Sequence, residues 1–165
     1  MKIISAKEAA DLIKEGDSVM LGGFMGCGSA ISCIDALVEK GTKNLTLIGN
    51  DTAREDFSYG KLIRNKQIKK AITTHIGTNK ETGRQMSDGE LEVILVPQGT
   101  LAERIRASRS GLGGVLVTTG LGTEVAQGKQ IINVDGKDYL LERPLRADIA
   151  LIYATYADKY GNLAY

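Results

Sequence analysis

The sequence has little cysteine, almost no excess of charge and no long apolar run. Cys27 and Cys33 are its only cysteines, and their spacing, with no histidine nearby, fits neither a zinc site nor a disulfide framework. The net charge of +1 gives no general attraction to nucleic acid or to an anionic membrane. No run approaches the roughly 18 apolar residues of a membrane span, and the charged N-terminus has no apolar signal core. These absences predict a cytoplasmic protein that binds no metal, nucleic acid or membrane and acts on a small ligand.

Short apolar runs alternate with helical patterns along the chain. Helical patterns cover residues 5–16, 30–40, 60–68 and 100–108, and the first and last begin with the capping-box pattern Ser/Thr-x-x-Glu. Runs rich in β-branched or aliphatic residues predict the strands SVMLGG, NLTLIGN, KAITTHIG, LEVILVPQG, GVLVTTG and ADIALIYAT.

This alternation predicts an α/β fold. Strands that are apolar on both faces and are separated by helices are typical of a doubly wound, mainly parallel sheet with helices on both faces. The segment IINVDGKDYLLE differs, because Asp135-Gly136 between two alternating runs favours a β-hairpin. Since 165 residues are about the length of one domain, we predict a single domain over residues 1–165 with a small β-hairpin excursion.

The most distinctive segment is MLGGFMGCGSA, residues 20–30. Gly22, Gly23, Gly26 and Gly28 lie between an apolar run and a helical pattern, where a strand-to-helix loop can present backbone N–H groups to a ligand. The segment is not a Walker loop, because no Gly-Lys-Ser/Thr follows, and it does not reproduce G-x-G-x-x-G. We interpret it as a ligand site lined by backbone. The alternative is a tight turn in which the glycines only supply positive φ.

Several longer segments carry a family resemblance. The segments are VMLGGFMGCG, IGNDTA, HIGTNKETGRQM, ELEVILVPQGTLAERIRA, GLGGVLVTTGLGTEVAQGK, and YLLERPLRADIALI with ADKYGNLAY. In order and spacing they resemble the α subunit of family I coenzyme A transferases, above all the acetate and butyrate–acetoacetate CoA-transferases. The resemblance covers essentially the whole chain. It implies the fold shared with ribose-5-phosphate isomerase-like proteins and a reaction that moves CoA from an acyl-CoA to a short-chain carboxylate.

The resemblance also implies a partner subunit. In this family the nucleophile is a glutamate in a Ser-Glu-Asn-Gly motif of the β half, and no glutamate of this sequence is followed by Asn-Gly. The implied enzyme is therefore a heterodimer or heterotetramer of α and β subunits. The glutamate of the β subunit would form first an acyl-glutamyl anhydride and then a glutamyl-CoA thioester. The resemblance implies no permanently bound cofactor, with CoA and acyl-CoA as substrates.

Two carboxamides match family positions that face the active site. Asn50 and Gln98 come just after neighbouring predicted strand ends, and their N–H₂ groups are neutral donors suited to an oxyanion. Asn50 could instead form a turn, and Gln98 could brace the turn after Pro97. Asp51 either orients Asn50 or binds nothing.

The resemblance assigns the glycine segment to the substrate. Gly22, Gly23, Gly26, Cys27 and Gly28 would accommodate the CoA thioester end and the reacting acyl group. Phe24 and Met25 would line the acyl cavity, and a plain core role is the alternative. For His75, the only histidine, we favour a structural or pocket-shaping role over a general base, because a carboxylate nucleophile needs no base.

The sequence departs from the family pattern at three places. Ser29-Ala30 replaces the usual proline after the glycine segment, and Ala107-Ser108-Arg109-Ser110 replaces a glycine pair, so we expect Arg109 to face solvent. The sequence ends at Tyr165, where these subunits continue, which suggests a truncated subunit. We expect Arg104, Arg106 and Arg109 to form a solvated face.

Two other functions compete with CoA transfer. A non-catalytic effector-binding domain of the same fold would normally carry an attached DNA-binding segment. A sugar-phosphate isomerase would need an acid and a lysine in the loops, and VPQGT offers neither.

Overall fold

The computed structural model describes residues 2–165 and divides the chain into two compact units. One unit comprises Met1–Ile94 and Ala147–Tyr165, and the other comprises Leu95–Arg146. The strands are β1 (Ser18–Leu21), β2 (Leu45–Ile48), β3 (Ile68–Thr73), β4 (Glu92–Leu95), β5 (Val115–Val117), β6 (Ile131–Val134), β7 (Lys137–Glu142), β8 (Ile149–Leu151), β9 (Tyr156–Ala157) and β10 (Leu163–Ala164). The helices are α1 (Ala6–Asp11), α2 (Ile31–Lys40), α3 (Gly60–Arg64), α4 (Lys80–Ser87) and α5 (Gln98–Arg109), with a 3₁₀ turn at Glu124–Ala126. The prediction of one domain over residues 1–165 stays a prediction.

A five-stranded sheet forms the centre of the first unit, with the order β4-β3-β2-β1-β8. β1 pairs in parallel with both β2 and β8, so that Val19 lies opposite Leu47 on one side and Ile149 on the other. β2 also pairs in parallel with β3. Val19, Leu47 and neighbouring apolar residues of the sheet pack with α1, α2 and α3 into one buried core. The predicted α/β fold with a mainly parallel sheet is confirmed.

The strand order reverses beside β1. From β1 the chain moves outward in one direction through β2, β3 and β4, and β8 then returns to the other side of β1. In open α/β sheets such a reversal leaves a crevice outside the carboxyl ends of the strands, because the connections on its two sides diverge. The segment after β1 therefore lies at the position in this sheet where ligands usually bind.

The predicted helices are present, but several ends differ. Ser5 and Glu8 form the predicted capping box of α1, and this helix ends at Asp11 rather than near Gly16. α2 agrees with its prediction, whereas α3 ends at Arg64, shortly before β3 begins.

The predicted capping box of α5 is wrong. This helix begins at Gln98 with Pro97 at the N-cap position, so Thr100 is a buried residue of its first turn. Proline already has the backbone angle and the missing N–H that suit the start of a helix, and the start therefore lies before Thr100.

A three-stranded antiparallel sheet forms part of the second unit, with the order β5-β7-β6. β6 and β7 make the predicted hairpin, and its turn residues Asp135 and Gly136 have φ values of 51° and 78°. β5 pairs with β7, with Val115 opposite Glu142. The prediction that GVLVTTG belongs to the parallel sheet is therefore wrong.

No helical pattern predicts α4, which lies between the predicted strands KAITTHIG and LEVILVPQG. Its N-cap is Asn79, whose side chain accepts a hydrogen bond from the Thr82 backbone N–H at 3.1 Å. The buried residues of α4 are Thr82 and Gln85. Because its buried side is polar, this helix has no apolar periodicity to detect.

Within residues 2–165, no helix has the length and apolar character needed to cross a membrane.

Candidate functional site

The glycine segment follows β1 directly, at the reversal of the strand order. The Gly22 backbone N–H still donates to the Leu151 carbonyl of β8 at 3.2 Å. Beyond Gly22 the chain leaves the sheet and reaches α2 at Ile31. α2 therefore forms even though Ser29-Ala30 replaces the proline that is usual in the family that the sequence resembles.

Residues 24–27 form a tight hairpin turn. The Phe24 N–H donates to the Cys27 carbonyl at 3.0 Å, and the Cys27 N–H donates to the Phe24 carbonyl at 2.9 Å. The two central residues, Met25 and Gly26, have φ values of 51° and 83°. Positive φ at both central positions is typical of type I′ turns, and it is costly for a residue with a side chain such as methionine. We call residues 24–27 the hairpin turn.

Two glycines are required by the geometry of this turn. Gly23 has φ +103°, and a Cβ at this position would lie 2.5 Å from the Cys27 carbonyl oxygen. Gly26 has φ +83°, and a Cβ there would lie 2.6 Å from the Phe57 ring. Gly23 and Gly26 therefore supply positive φ, and whether this is their only role is not decided by the geometry of the turn. Their role toward a ligand stays a prediction.

Most backbone N–H groups of the segment are already hydrogen-bonded within the protein. Those of Gly22, Phe24 and Cys27 bind backbone carbonyls, and that of Met25 binds the Asp51 carboxylate. This differs from a site whose backbone N–H groups face a ligand, because donors used within the protein cannot also bind a ligand without breaking those bonds. That the segment contributes close backbone approach and shape to a ligand stays a prediction.

Asp51 lies under the hairpin turn. Its Oδ2 accepts the Met25 backbone N–H at 2.8 Å, and its Oδ1 accepts the Tyr59 hydroxyl. Both side chains are fully buried. Burial and the neighbouring Asp51 carboxylate raise the pKa of Tyr59, which therefore stays neutral and donates. The interpretation that Asp51 binds nothing is wrong, because its carboxylate binds the turn. The interpretation that Asp51 orients Asn50 stays a prediction.

Asn50 also holds the segment. Its Nδ2 donates to the Gly23 carbonyl at 2.7 Å, and its own backbone carbonyl accepts the Thr74 N–H at 3.0 Å and hydroxyl at 2.6 Å. Asn50 thus connects the ends of β2 and β3 to the glycine segment. Its role as an oxyanion donor stays a prediction.

Gln98 is the exposed first residue of α5 and belongs to the second unit, whereas Asn50 belongs to the first. The expectation that the two residues follow neighbouring strand ends is wrong. Asn50 follows β2 and Gln98 comes after β4, and β3 lies between these strands. Runs of similar composition do not indicate which strands pair, so the sequence could not reveal this separation.

A cavity of about 530 Å³ opens beside the hairpin turn. It is lined by Phe24, Met25, Cys27, Arg54 and Phe57. Phe24 is 54% exposed, so the plain core alternative is wrong for this residue. The lining combines three apolar side chains and a thiol with one guanidinium, which suits a short acyl chain that carries a polar or anionic group.

The segment after β2 supplies the other wall of this cavity. Buried polar contacts fix it: the Asn79 Nδ2 donates to the Thr52 carbonyl at 2.9 Å, and the Thr82 and Thr52 hydroxyls lie 3.0 Å apart. Ser29 joins this segment to the glycine segment, because its hydroxyl lies 2.6 Å from the Ser58 hydroxyl and 2.6 Å from the Gly26 carbonyl. The two walls are therefore tied together by buried hydrogen bonds.

Other predicted residues lie elsewhere. His75 is exposed, shortly after β3, and is not among the residues that line the cavity. Arg109 is exposed, as expected. Arg104 is not part of a solvated face, because its side chain is only 18% exposed and its Nε lies 3.8 Å from the buried Glu142 carboxylate.

Within residues 2–165, no group of three or more His, Cys, Asp and Glu side chains could hold a metal ion.

Comparison with known proteins decides the family. The coenzyme A transferase family model matches residues 3–165. The chain belongs to the coenzyme A transferase family. It is 52% identical over 164 residues to the acetate CoA-transferase subunit alpha of Escherichia coli, covering 99% of this chain and 74% of that protein. It is 51% identical over 164 residues to the acetoacetyl-CoA:acetate/butyrate CoA transferase alpha subunit of Clostridium acetobutylicum, covering 99% of this chain and 75% of that protein.

Solved structures show the same fold. An acyl-CoA transferase from Escherichia coli, solved as a thioester complex with CoA, superposes with a TM-score of 0.82 at 24% identity, covering 92% of this chain and 34% of that chain. Glutaconate coenzyme A-transferase from Acidaminococcus fermentans superposes with a TM-score of 0.84 at 22% identity, covering 99% of this chain and 59% of that chain. At these identities the likeness supports the coenzyme A transferase fold alone.

Sequence reasoning missed Arg54, Phe57, Ser58 and Tyr59. They lie in a segment without apolar periodicity, and nothing local in REDFSYG indicates that these side chains meet the glycine segment. Only the resemblance of the preceding IGNDTA pointed to this part of the chain.

Gly23→Ala is expected to damage the site of this coenzyme A transferase chain. The new Cβ would have to move the Cys27 backbone, and we expect a loss of about 2–3 kcal/mol in the free energy of unfolding, from backbone strain and steric overlap together. Gly28→Ala is the matched control, since Gly28 also has positive φ but a Cβ there would meet its nearest atom at 3.9 Å. Chemical denaturation of both variants tests this, and equal losses for the two would contradict the close approach at Gly23.

Proposed function

We propose that this chain is the α subunit of a short-chain acyl-CoA:carboxylate CoA-transferase, which moves CoA between an acyl-CoA and acetate, butyrate or acetoacetate. The observation that carries the proposal is the 52% identity, over 164 residues, to a protein named acetate CoA-transferase subunit alpha. A second relative is named for acetoacetyl-CoA, acetate and butyrate. A non-catalytic effector domain of the same fold is not favoured by these relatives.

The proposed reaction uses a glutamate of a β subunit as nucleophile. The glutamate carboxylate attacks the thioester carbonyl, so that a C–O bond forms, the C–S bond breaks and CoA leaves as a thiolate. The thiolate then attacks the glutamyl carbonyl of the anhydride, which releases the first carboxylate and leaves glutamyl-CoA. The acceptor carboxylate reverses these steps. The lack of a Glu-Asn-Gly motif in this sequence supports placing the nucleophile on the partner.

This chain would contribute shape and electrostatics to the reaction. The cavity beside the hairpin turn offers Phe24, Met25 and Phe57 to the acyl chain and Arg54 to a polar or anionic group. The glycine segment allows the thioester end to approach the backbone closely. Asn50 and Gln98 are the proposed donors to the oxyanion that develops at the attacked carbonyl.

The remaining parts of the proposal concern subunit assembly, cellular location and metabolic role. We propose a heterodimer or heterotetramer of α and β subunits, a cytoplasmic location and a role in short-chain fatty acid metabolism. CoA and acyl-CoA would be substrates rather than permanently bound cofactors. These proposals rest on the names of the relatives as alpha subunits and on the balanced charge of the sequence.

A turnover assay tests the proposed function. The chain is combined with a β subunit that carries Ser-Glu-Asn-Gly, and the formation of acetyl-CoA from acetoacetyl-CoA and acetate is followed by chromatography. We expect repeated turnover, with butyrate also accepted in place of acetate. Binding of acyl-CoA without turnover would contradict the proposal and would favour an effector-binding role.

A further inference from the structure

Asp51 and Tyr59 form a buried pair directly beneath the hairpin turn. Each side chain is fully buried, and the Tyr59 hydroxyl donates to one oxygen of the Asp51 carboxylate. The other oxygen accepts the Met25 N–H at 2.8 Å, and the phenol oxygen of Tyr59 also interacts with the Gly26 backbone. The pair therefore contacts both central residues of the turn.

The turn needs such a support. Met25 has φ +51°, a conformation in which a residue with a side chain is strained. The hydrogen bond from the Met25 backbone N–H to the Asp51 side chain, at 2.8 Å, can hold this conformation. Tyr59 also holds the carboxylate in place. Its hydrogen bond to the other carboxylate oxygen leaves the buried Asp51 side chain few alternative positions.

The geometry of the cavity depends on this turn. Phe24, Met25 and Cys27 all line it, whereas Asp51 and Tyr59 lie outside the lining. A change in the turn would move three of the five lining side chains together. Alignment of reacting groups is sensitive to shifts of this kind, since a misplacement of about 1 Å can cost a hundredfold in rate.

We propose that Asp51 and Tyr59 are positioning residues that fix the hairpin turn for CoA transfer without touching the substrate. This inference rests on the proposed function, because it assigns the cavity to the reacting acyl group. It goes further by naming two residues, neither of which lines the cavity, as determinants of the transfer rate. The carboxylate acts through the backbone of Met25, and the phenol acts through the carboxylate.

Tyr59→Phe is the direct test, because it removes the hydroxyl and keeps the ring in the core. In the assembled enzyme, we expect hydrogen exchange of the peptide covering residues 22–28 to accelerate by about tenfold. We expect kcat for CoA transfer to fall by about tenfold, with a smaller change in KM, because alignment matters most in the transition state. Tyr139→Phe, a change of the same kind on β7, is the matched control and should alter neither quantity.

Asp51→Asn is the second variant. Its side-chain oxygen can still accept the Met25 N–H, so we expect a smaller loss of kcat than in Asp51→Ala. We still expect hydrogen exchange of residues 22–28 to be faster than in the unmodified enzyme. Partial rescue of this kind separates turn positioning from general stability. If Asp51→Ala does not assemble, Asp51→Asn and Tyr59→Phe still decide the matter.

The outcomes separate this inference from the proposed function. Unchanged exchange at residues 22–28 in Tyr59→Phe would overturn the inference, and so would faster exchange with unchanged kcat. A lower melting temperature with normal kcat would show a structural role only and would also overturn it. If the unmodified enzyme transfers no CoA, the proposed function fails, and with it the assignment of these residues to transfer.

Discussion

The isolated chain is expected to transfer no CoA, and activity is expected to appear when a β subunit is added. The reason is covalent catalysis: the sequence lacks a glutamate followed by Asn-Gly, and removing a nucleophile typically costs roughly 10⁴-fold or more in rate. The assay follows CoA transfer from acetoacetyl-CoA to acetate by the chain alone, by the β subunit alone and by their mixture. We expect turnover only in the mixture.

A β subunit with Gln in place of its motif glutamate is the control for this experiment. It should bind the chain and restore no activity. If the isolated chain turns over at a rate within about tenfold of the mixture, a difference far smaller than the loss of a nucleophile produces, the proposed division of labour is wrong.

Gln98→Ala is expected to reduce kcat by about a hundredfold in the assembled enzyme. A donor that meets the oxyanion only in the transition state contributes roughly 3 kcal/mol to catalysis, whereas uniform binding would appear in KM. Gln98 is the exposed first residue of α5, so its truncation should leave the melting temperature nearly unchanged. The measurement is kcat, KM and melting temperature of the variant beside those of the unmodified enzyme.

Gln127→Ala, at another exposed glutamine of the second unit, is the matched control and should leave kcat unchanged. If Gln98 instead braces the turn after Pro97, the variant should lose melting temperature and disturb KM and kcat together. A normal kcat in Gln98→Ala would rule out the oxyanion role.

The fold was predictable where its signals are local. The hairpin at Asp135-Gly136 follows from two residues that accept positive φ, and α1 follows from the capping box of Ser5 and Glu8. The pairing of β5 with β7 was not predictable in this way. An apolar run such as GVLVTTG is compatible with either sheet, and its partner is set by contacts distant in sequence.

The candidate site likewise combines features that the sequence predicts with features that it does not. The glycine segment is visible in the sequence, because positive φ and close backbone approach leave glycine as the residue that fits at Gly23. The pair of Asp51 and Tyr59 is not visible, because Asp51 lies 26 positions from Met25, with which it is hydrogen-bonded. A polar residue that becomes buried through distant partners has no periodic pattern to reveal it.

Covalent trapping identifies which subunit carries the nucleophile. The mixture of this chain with its β subunit is incubated with acyl-CoA, treated with borohydride to reduce the glutamyl-CoA thioester, digested and analysed by mass spectrometry. We expect a modified glutamate in the Ser-Glu-Asn-Gly motif of the β subunit and none in this chain. A modified glutamate in this chain, formed at the rate of turnover, would contradict the placement of the nucleophile on the β subunit.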